Sequence, residues 1–291
     1  MGKEQMRIAI SGANGFIGTC LSDYLSAEGV EVVPLKHTYF RDASDDRLLD
    51  ALQGADVVIN LAGVSINQRW TPDAKREIMD SRVLTTRRLV SLINAMPRKP
   101  SLFISASAVG IYPVTGGVYN ENSASEGTGF LADVCRHWEE EAQKVSTDVR
   151  LAITRFGVVL DKNGGALPKM LLPFRLFMGG EISSGEQGFS WIHIEDLVRA
   201  MWLLIMREEL SGIFNLTAPQ PITNSMFTRA VSEVMHRPAW FVVPNFVFLL
   251  LYGEGSVLVT EGQQVYPARL ISAGYTFRYP DIWIALRNLL Q

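Results

Sequence analysis

At 291 residues the chain is longer than one average domain, and 47% apolar against 20% charged residues suits a soluble protein with a substantial core. A formal net charge of −3 gives no electrostatic reason to expect nucleic acid as a partner. Cys20 and Cys135 fall in helix-like segments, and neither they nor the scattered His and carboxylate residues show metal-ligand spacing, so no metal is expected. The most apolar run, Phe241 to Tyr252, is too short to span a bilayer and is broken by Pro244 and Asn245. It reads as a buried helix, with a greasy substrate or partner surface as the lesser reading; no membrane is expected. The opening MGKEQMRIAISG has no long apolar core, and with reduced thiols this points to a cytoplasmic location.

Strand-like runs follow in order at Met6–Ser11, Val30–Leu35, Asp56–Ala62, Ser101–Ser107 and Val149–Arg155. Their near-continuous apolar character fits strands covered on both faces of a parallel sheet. Helical stretches lie between them at Phe16–Gly29, Asp46–Gln53, Pro72–Met96 and Phe130–Val145, the third opening on Thr71-Pro72 as cap and first turn. The alternation predicts an α/β fold, a Rossmann-type doubly wound parallel sheet. After Gly157 the connections become rich in Gly and Pro. FSWIHIEDLVRAMWLLIM then reads as a strand leading into a helix, and IFNLTAP as a further strand. The division expected is a dinucleotide-binding domain over 1–160, rejoined by 191–217, with 161–190 and 218–291 forming a smaller substrate lobe.

Directly after the first strand comes SGANGFIG. Gly12 permits a tight turn, Gly15 lets backbone amides approach a pyrophosphate, and Gly18 lets the helix pack on the strand. The helix N-terminus adds partial positive charge. No Gly-Lys-Ser/Thr follows, which argues against a nucleoside-triphosphate P-loop. In register with a βαβ unit, the three glycines predict a dinucleotide site, with an unliganded tight turn as the alternative. At the end of the second strand, where NAD-selective sites carry an acid, stand Lys36, His37 and Arg41. Cations there suit the extra 2′-phosphate, so NADP(H) is favoured over NAD(H).

With SGANGFIG, DVVINLAG and SASAVGIY in this order, the chain resembles the extended short-chain dehydrogenase/reductases, which include nucleotide-sugar epimerases and dehydratases. INQRWT, WEEEA, RFGVVLDKNGGALPKML, PFRLFMGG, WIHIEDL and GEGSVLV narrow the resemblance to the atypical, YfcH-like "epimerase family" branch, over essentially the whole chain. The resemblance implies that Gly12, Asn14, Gly15, Phe16, Ile17 and Gly18 cradle the pyrophosphate, and that Leu61, Ala62 and Gly63 run beside the adenosine-to-nicotinamide portion at the end of the third strand. It also implies that Ser107 hydrogen-bonds a substrate carbonyl or hydroxyl, a strand-end cap being the bland alternative.

The proton-handling Tyr and Lys of that wider group are missing. Anchored on WEEEA, their positions fall at Leu131 and Cys135. Leu131 has no proton to give, and a helical thiol is more often a small buried hydrophobe than a catalyst. Tyr112 is the remaining candidate acid, conditional on geometry. For substrate binding, Arg155 at a strand end could grip an anion or serve in an ion pair. Arg69-Trp70 could face a base or sugar ring, or Trp70 could pack into the core. Arg175 lies where relatives hold a nucleotide diphosphate, or is solvated. His193 reads as a structural histidine. Two functions follow: an NADP(H)-dependent epimerase or reductase acting on a small polar substrate such as a nucleotide sugar, or an NADP(H)-binding sensor or scaffold without turnover. The oligomeric state is open.

Overall fold

The structure, a computed structural model, describes residues 5–42, 44–115 and 117–291. Its centre is a six-stranded sheet of β1 (Arg7–Ser11), β2 (Glu31–Leu35), β3 (Val57–Asn60), β4 (Leu102–Ala108), β5 (Arg150–Phe156) and β6 (Gly212–Leu216). All pairs are parallel and the spatial order is β2-β1-β3-β4-β5-β6. Strand periodicity explains why this sheet is covered twice. Ile8, Ile10, Val57, Ile59, Leu102 and Ile104 point into one apolar cluster. Their chain neighbours Ala9, Val58 and Phe103 point into another on the opposite face. Helices α1 (Phe16–Ala27) and α6 (Ile194–Met206) cover the first face; α2 (Asp46–Leu52), α3 (Pro72–Ala95) and α4 (Phe130–Ala142) belong to the other.

Thr71 caps α3 by accepting from the Ala74 amide at 3.2 Å, with Pro72 in the first turn, as the sequence indicates. Strand order reverses at β1, whose neighbours β2 and β3 both follow it in the chain. The crevice beyond the carboxyl ends of β1 and β3 is therefore the place for a ligand in such a sheet.

Residues beyond β5 build a third cluster from α5 (Leu167–Arg175), α7 (Asn224–Met235) and a C-terminal helix, Ile282–Leu290. Among the described residues four two-stranded ladders tie these segments to one another and to the stretch after β4, among them Gly180–Ile182 with Phe241–Val243 and Val118–Tyr119 with Gln264–Val265.

The expectation of a buried helix at Phe241 to Tyr252 is overturned. Phe241–Val243 form a strand, and α8 (Asn245–Tyr252) has no buried residue. Trp240 is 85% exposed and Leu250 76% exposed. The run is apolar on every side, so hydropathy alone could not say which face packs; its strand pairs with Gly180–Ile182 and α8 touches the turn Gly253–Ser256. Among the described residues no helix is long and apolar enough to cross a membrane. If this surface is free, Leu250→Ser should change unfolding stability by less than about 0.5 kcal/mol in denaturant titrations. Leu286→Ala, at a fully buried position, should cost about 2–5 kcal/mol.

Candidate functional site

The loop from β1 into α1 is fixed by two close approaches. Gly12 has φ +73°, and a Cβ there would lie 2.8 Å from the Leu61 carbonyl oxygen. A Cβ on Gly18 would sit 2.1 Å from the Gly12 carbonyl oxygen, so the first turn of α1 rests directly on the loop. Gly15 occupies the N-cap position, and its amide donates to Gly12 O at 2.9 Å. No side chain caps α1 and no acid lies in its first turn. The first-turn amides are left without intrahelical acceptors beside exposed Asn14 and Gly15, an arrangement that fits a pyrophosphate. Ile17 is half-buried. Phe16 packs against the loop after β5: a Cβ on Gly164 or Gly165 would come within 2.4 Å or 2.8 Å of its ring.

At the end of β2, Lys36, His37 and Arg41 are exposed and form no ion pair among the described residues. Arg88 of α3 steadies the stretch behind them, donating to Asp45 at 2.6 Å and to the carbonyls of Phe40, Asp42 and Ser44.

The floor between β1 and β3 is polar and buried. Ser11 donates to Asn60 Oδ1 at 2.5 Å, Asn60 Nδ2 to Thr86 at 2.8 Å, and Thr86 to the Arg82 carbonyl at 2.7 Å. Leu61, Ala62 and Gly63 continue from this floor, and the backbone of Gly63 lies against the Arg82 guanidinium.

Beyond β4 lies a second buried network. Ser107 donates to Glu139 Oε1 at 2.6 Å. Arg155 grips Glu139 through Nε at 2.8 Å and Nη2 at 2.7 Å, and donates from Nη1 to the Tyr112 hydroxyl at 2.8 Å. The Tyr112 hydroxyl donates to Asn215 Oδ1 at 3.0 Å. Arg155 is 2% exposed and Tyr112 is fully buried, so two sequence expectations change here. Arg155 neutralises Glu139 rather than reaching for a substrate anion. Burial opposes its charge, but the hydrogen bonds and charge of Glu139 outweigh that and hold its pKa above the ordinary value. The Tyr112 proton is committed to Asn215, and burial pushes the phenol above its usual range although Arg155 pulls it down. Tyr112 therefore has no route to a ligand in this arrangement. With its single proton on Glu139, Ser107 is left to accept from a ligand hydroxyl and not to donate to a carbonyl.

Leu131 and Cys135 stand on α4 where the phenol and ammonium were sought. Burial, reinforced by the Glu139 charge, pushes the Cys135 thiol up to about 11, so it is no acid–base group near neutrality. Sequence reasoning missed Glu139. Its signal was present: positions 135, 138, 139 and 142 share one buried face of α4, and an acid on such a stripe needs a buried partner.

Trp70 is buried, donates from Nε1 to Ile66 O at 2.9 Å and meets Phe130 edge to face at 5.1 Å. It is core and offers no stacking surface. Arg69 is exposed beside Gly253, where the turn Gly253–Ser256 docks and Glu254 pairs with Lys75. Arg175 borders a depression of about 300 Å³ with Val234, Met235, Arg237 and Leu290, away from the strand-end loops. His193 is structural: Nδ1 accepts from the Glu195 amide at 3.1 Å, Nε2 pairs with Asn288 at 3.1 Å, and the ring stacks on Tyr279 at 3.8 Å.

Residues 8–217 match the NAD dependent epimerase/dehydratase family. The chain belongs to that family. Residues 243–289 match a domain of unknown function, DUF1731, which covers the exposed helix α8 and the C-terminal helix. The "epimerase family protein SDR39U1 homolog, chloroplastic" of Arabidopsis thaliana is 39% identical, over 99% of this chain and 88% of that protein. The epimerase family protein YfhF of Bacillus subtilis is 37% identical, over 98% of each. Among solved structures, human epimerase family protein SDR39U1 with NADPH superposes with a TM-score of 0.90 at 33% identity, over 98% of this chain and 99% of that one. A UDP-glucuronic acid 4-epimerase from Bacillus cereus, at 14% identity and a TM-score of 0.78, shares the fold.

Two measurements test the second network. Glu139→Ala leaves the Arg155 charge buried without its partner and should destabilise the protein by about 3–5 kcal/mol in urea unfolding. In the native state Cys135 should resist a thiol reagent at pH 8 for as long as the fold persists; labelling at the rate of a free thiol would contradict its burial.

Proposed function

We propose that this protein binds NADP(H) and uses it for hydride transfer on a small polar substrate, a nucleotide sugar being the class that suits the family, as an epimerase or reductase. The observation that carries the reading is the uncapped N-terminus of α1 behind Gly12, Gly15 and Gly18, with unpaired Lys36, His37 and Arg41 at the neighbouring strand end. The helix tip would hold the pyrophosphate, and the cations would take the 2′-phosphate. When bound, the nicotinamide would take up the hydride from the substrate carbinol carbon or return it to the carbonyl carbon. This chain's own residues shape the surroundings: Gly63 lets the cofactor lie close, Arg69 stands at the crevice rim, and Ser107, oriented by Glu139, accepts from the substrate hydroxyl that would lose hydrogen. Water or the substrate itself carries the proton, because α4 offers Leu131 and Cys135 in place of phenol and ammonium. The unpaired thiols, Cys20 half-buried and Cys135 buried, support the reducing cytosol as its compartment.

A second reading is favoured by one feature: the two groups nearest to chemistry, Tyr112 and Arg155, are locked into a structural network. On that reading the protein holds NADP(H) and reports on redox state or scaffolds a partner without turnover. A screen of nucleotide sugars, aldehydes and quinones, followed by NADPH fluorescence, separates the two. Turnover that falls at least about tenfold in Ser107→Ala supports the enzyme; tight NADPH binding with neither oxidation by any compound nor epimerisation of any nucleotide sugar supports the sensor. In either case NADPH should bind more tightly than NADH, and Lys36→Ala with Arg41→Ala should narrow that preference by roughly tenfold or more in calorimetry. Equal affinities in the unaltered protein would refute the 2′-phosphate assignment.

A further inference from the structure

Arg82 is a cation in search of an anion. It stands in the crevice half of α3, largely enclosed, with its guanidinium pressed on Gly63: a Cβ added there would lie 2.8 Å from Cζ and 3.0 Å from Nη2. Among the described residues two of its N–H groups are used, Nη1 on Ile78 O and Nη2 on Val64 O, each at 3.0 Å. Both acceptors are neutral carbonyls. Among the described residues no carboxylate faces it, the one titratable neighbour being the neutral thiol Cys135, and burial lowers its pKa. Its guanidinium lies over the Trp138 ring, 5.4 Å from the centroid, and the Trp138 Nε1 is buried with no acceptor. An enclosed charge paired with no anion costs several kcal/mol. Other enclosed arginines among the described residues are satisfied differently: buried Arg155 holds Glu139, and half-buried Arg150 donates to the carbonyls of Leu204, Arg207 and Leu210.

The sheet order says which ligand oxygens come within its reach. A dinucleotide with its pyrophosphate on α1 and its 2′-phosphate at the end of β2 extends its other half over β3 and β4, on the opposite side of β1. Arg82 lies there, between Gly63 at the end of β3 and Cys135 on α4. We propose that Arg82 is the cofactor-binding cation of the nicotinamide half, donating to ribose and adjacent phosphate oxygens from α3, where α4 offers only a thiol. The inference rests on the NADP(H)-binding reading and makes Arg82 a direct cofactor ligand within it.

Calorimetry with two probes separates this from a structural role. NADPH carries both halves, whereas 2′,5′-ADP carries the adenosine and 2′-phosphate but no nicotinamide ribose. Failure of the unaltered protein to bind either probe would sink the NADP(H) reading itself. Given binding, Arg82→Gln should weaken NADPH by roughly 10- to 100-fold and leave 2′,5′-ADP unchanged within about twofold. Arg82→Lys, which keeps the charge and loses the planar fork, should weaken NADPH selectively but by less, and serves if the Gln variant does not fold. Equal weakening of both probes, or no weakening of NADPH, overturns the proposal.

Discussion

Contact between the first turn of α1 and the carbonyl of Gly12 sets the geometry of everything that faces the crevice. With no atom beyond Cα at Gly18, the helix descends onto the loop until a methyl group could not be placed between them. That descent brings the uncapped end of α1 over the carboxyl edge of the sheet. Gly12 itself lies so close to Leu61 that the loop after β1 and the one after β3 form one surface. The Ser11–Asn60–Thr86 hydrogen bonds hold that surface from below, tying both strand ends to α3. A polarised helix tip above a rigid, polar floor is a place for paired phosphates, and the unpaired cations at β2 extend it to one side.

On the other side of β1 the structure has spent its charged groups differently. Ser107, Glu139, Arg155, Tyr112 and Asn215 connect β4, β5 and β6 through α4 and are nearly closed to solvent. Such a network fixes one packing of α4 on the sheet, since any slip would strand a buried charge. It also removes Tyr112 and Arg155 from reach. Arg82 is the exception, a guanidinium that the protein has enclosed without neutralising. The contrast between Arg155, satisfied internally, and Arg82, left for something else, distinguishes a structural cation from a binding one.

The sheet and its glycine loop were legible because their signals are local. Apolar runs of strand length, separated by helical segments, placed the five early strands within a residue or two of their observed ends. Gly12, Gly15 and Gly18 were in register with a strand and a helix. What the sequence hid was partnership. Whether Arg155 meets a ligand or Glu139 depends on residues 16 positions apart meeting across a helix and a strand. The orientation of Trp70 depends on Phe130, and the fate of Tyr112 on Asn215, more than a hundred residues away. The run from Phe241 to Tyr252 misled for another reason: its composition is that of a core, yet the neighbours that would cover it do not come from this chain's described residues.

The most direct test is a crystal structure grown with NADPH. The account requires the pyrophosphate oxygens to lie within hydrogen-bond distance of the amides of Phe16 and Ile17, with the 2′-phosphate turned toward Lys36 and Arg41. A dinucleotide seated elsewhere, or a loop at residues 12–18 closed over by side chains with no phosphate against it, would contradict the account at its base.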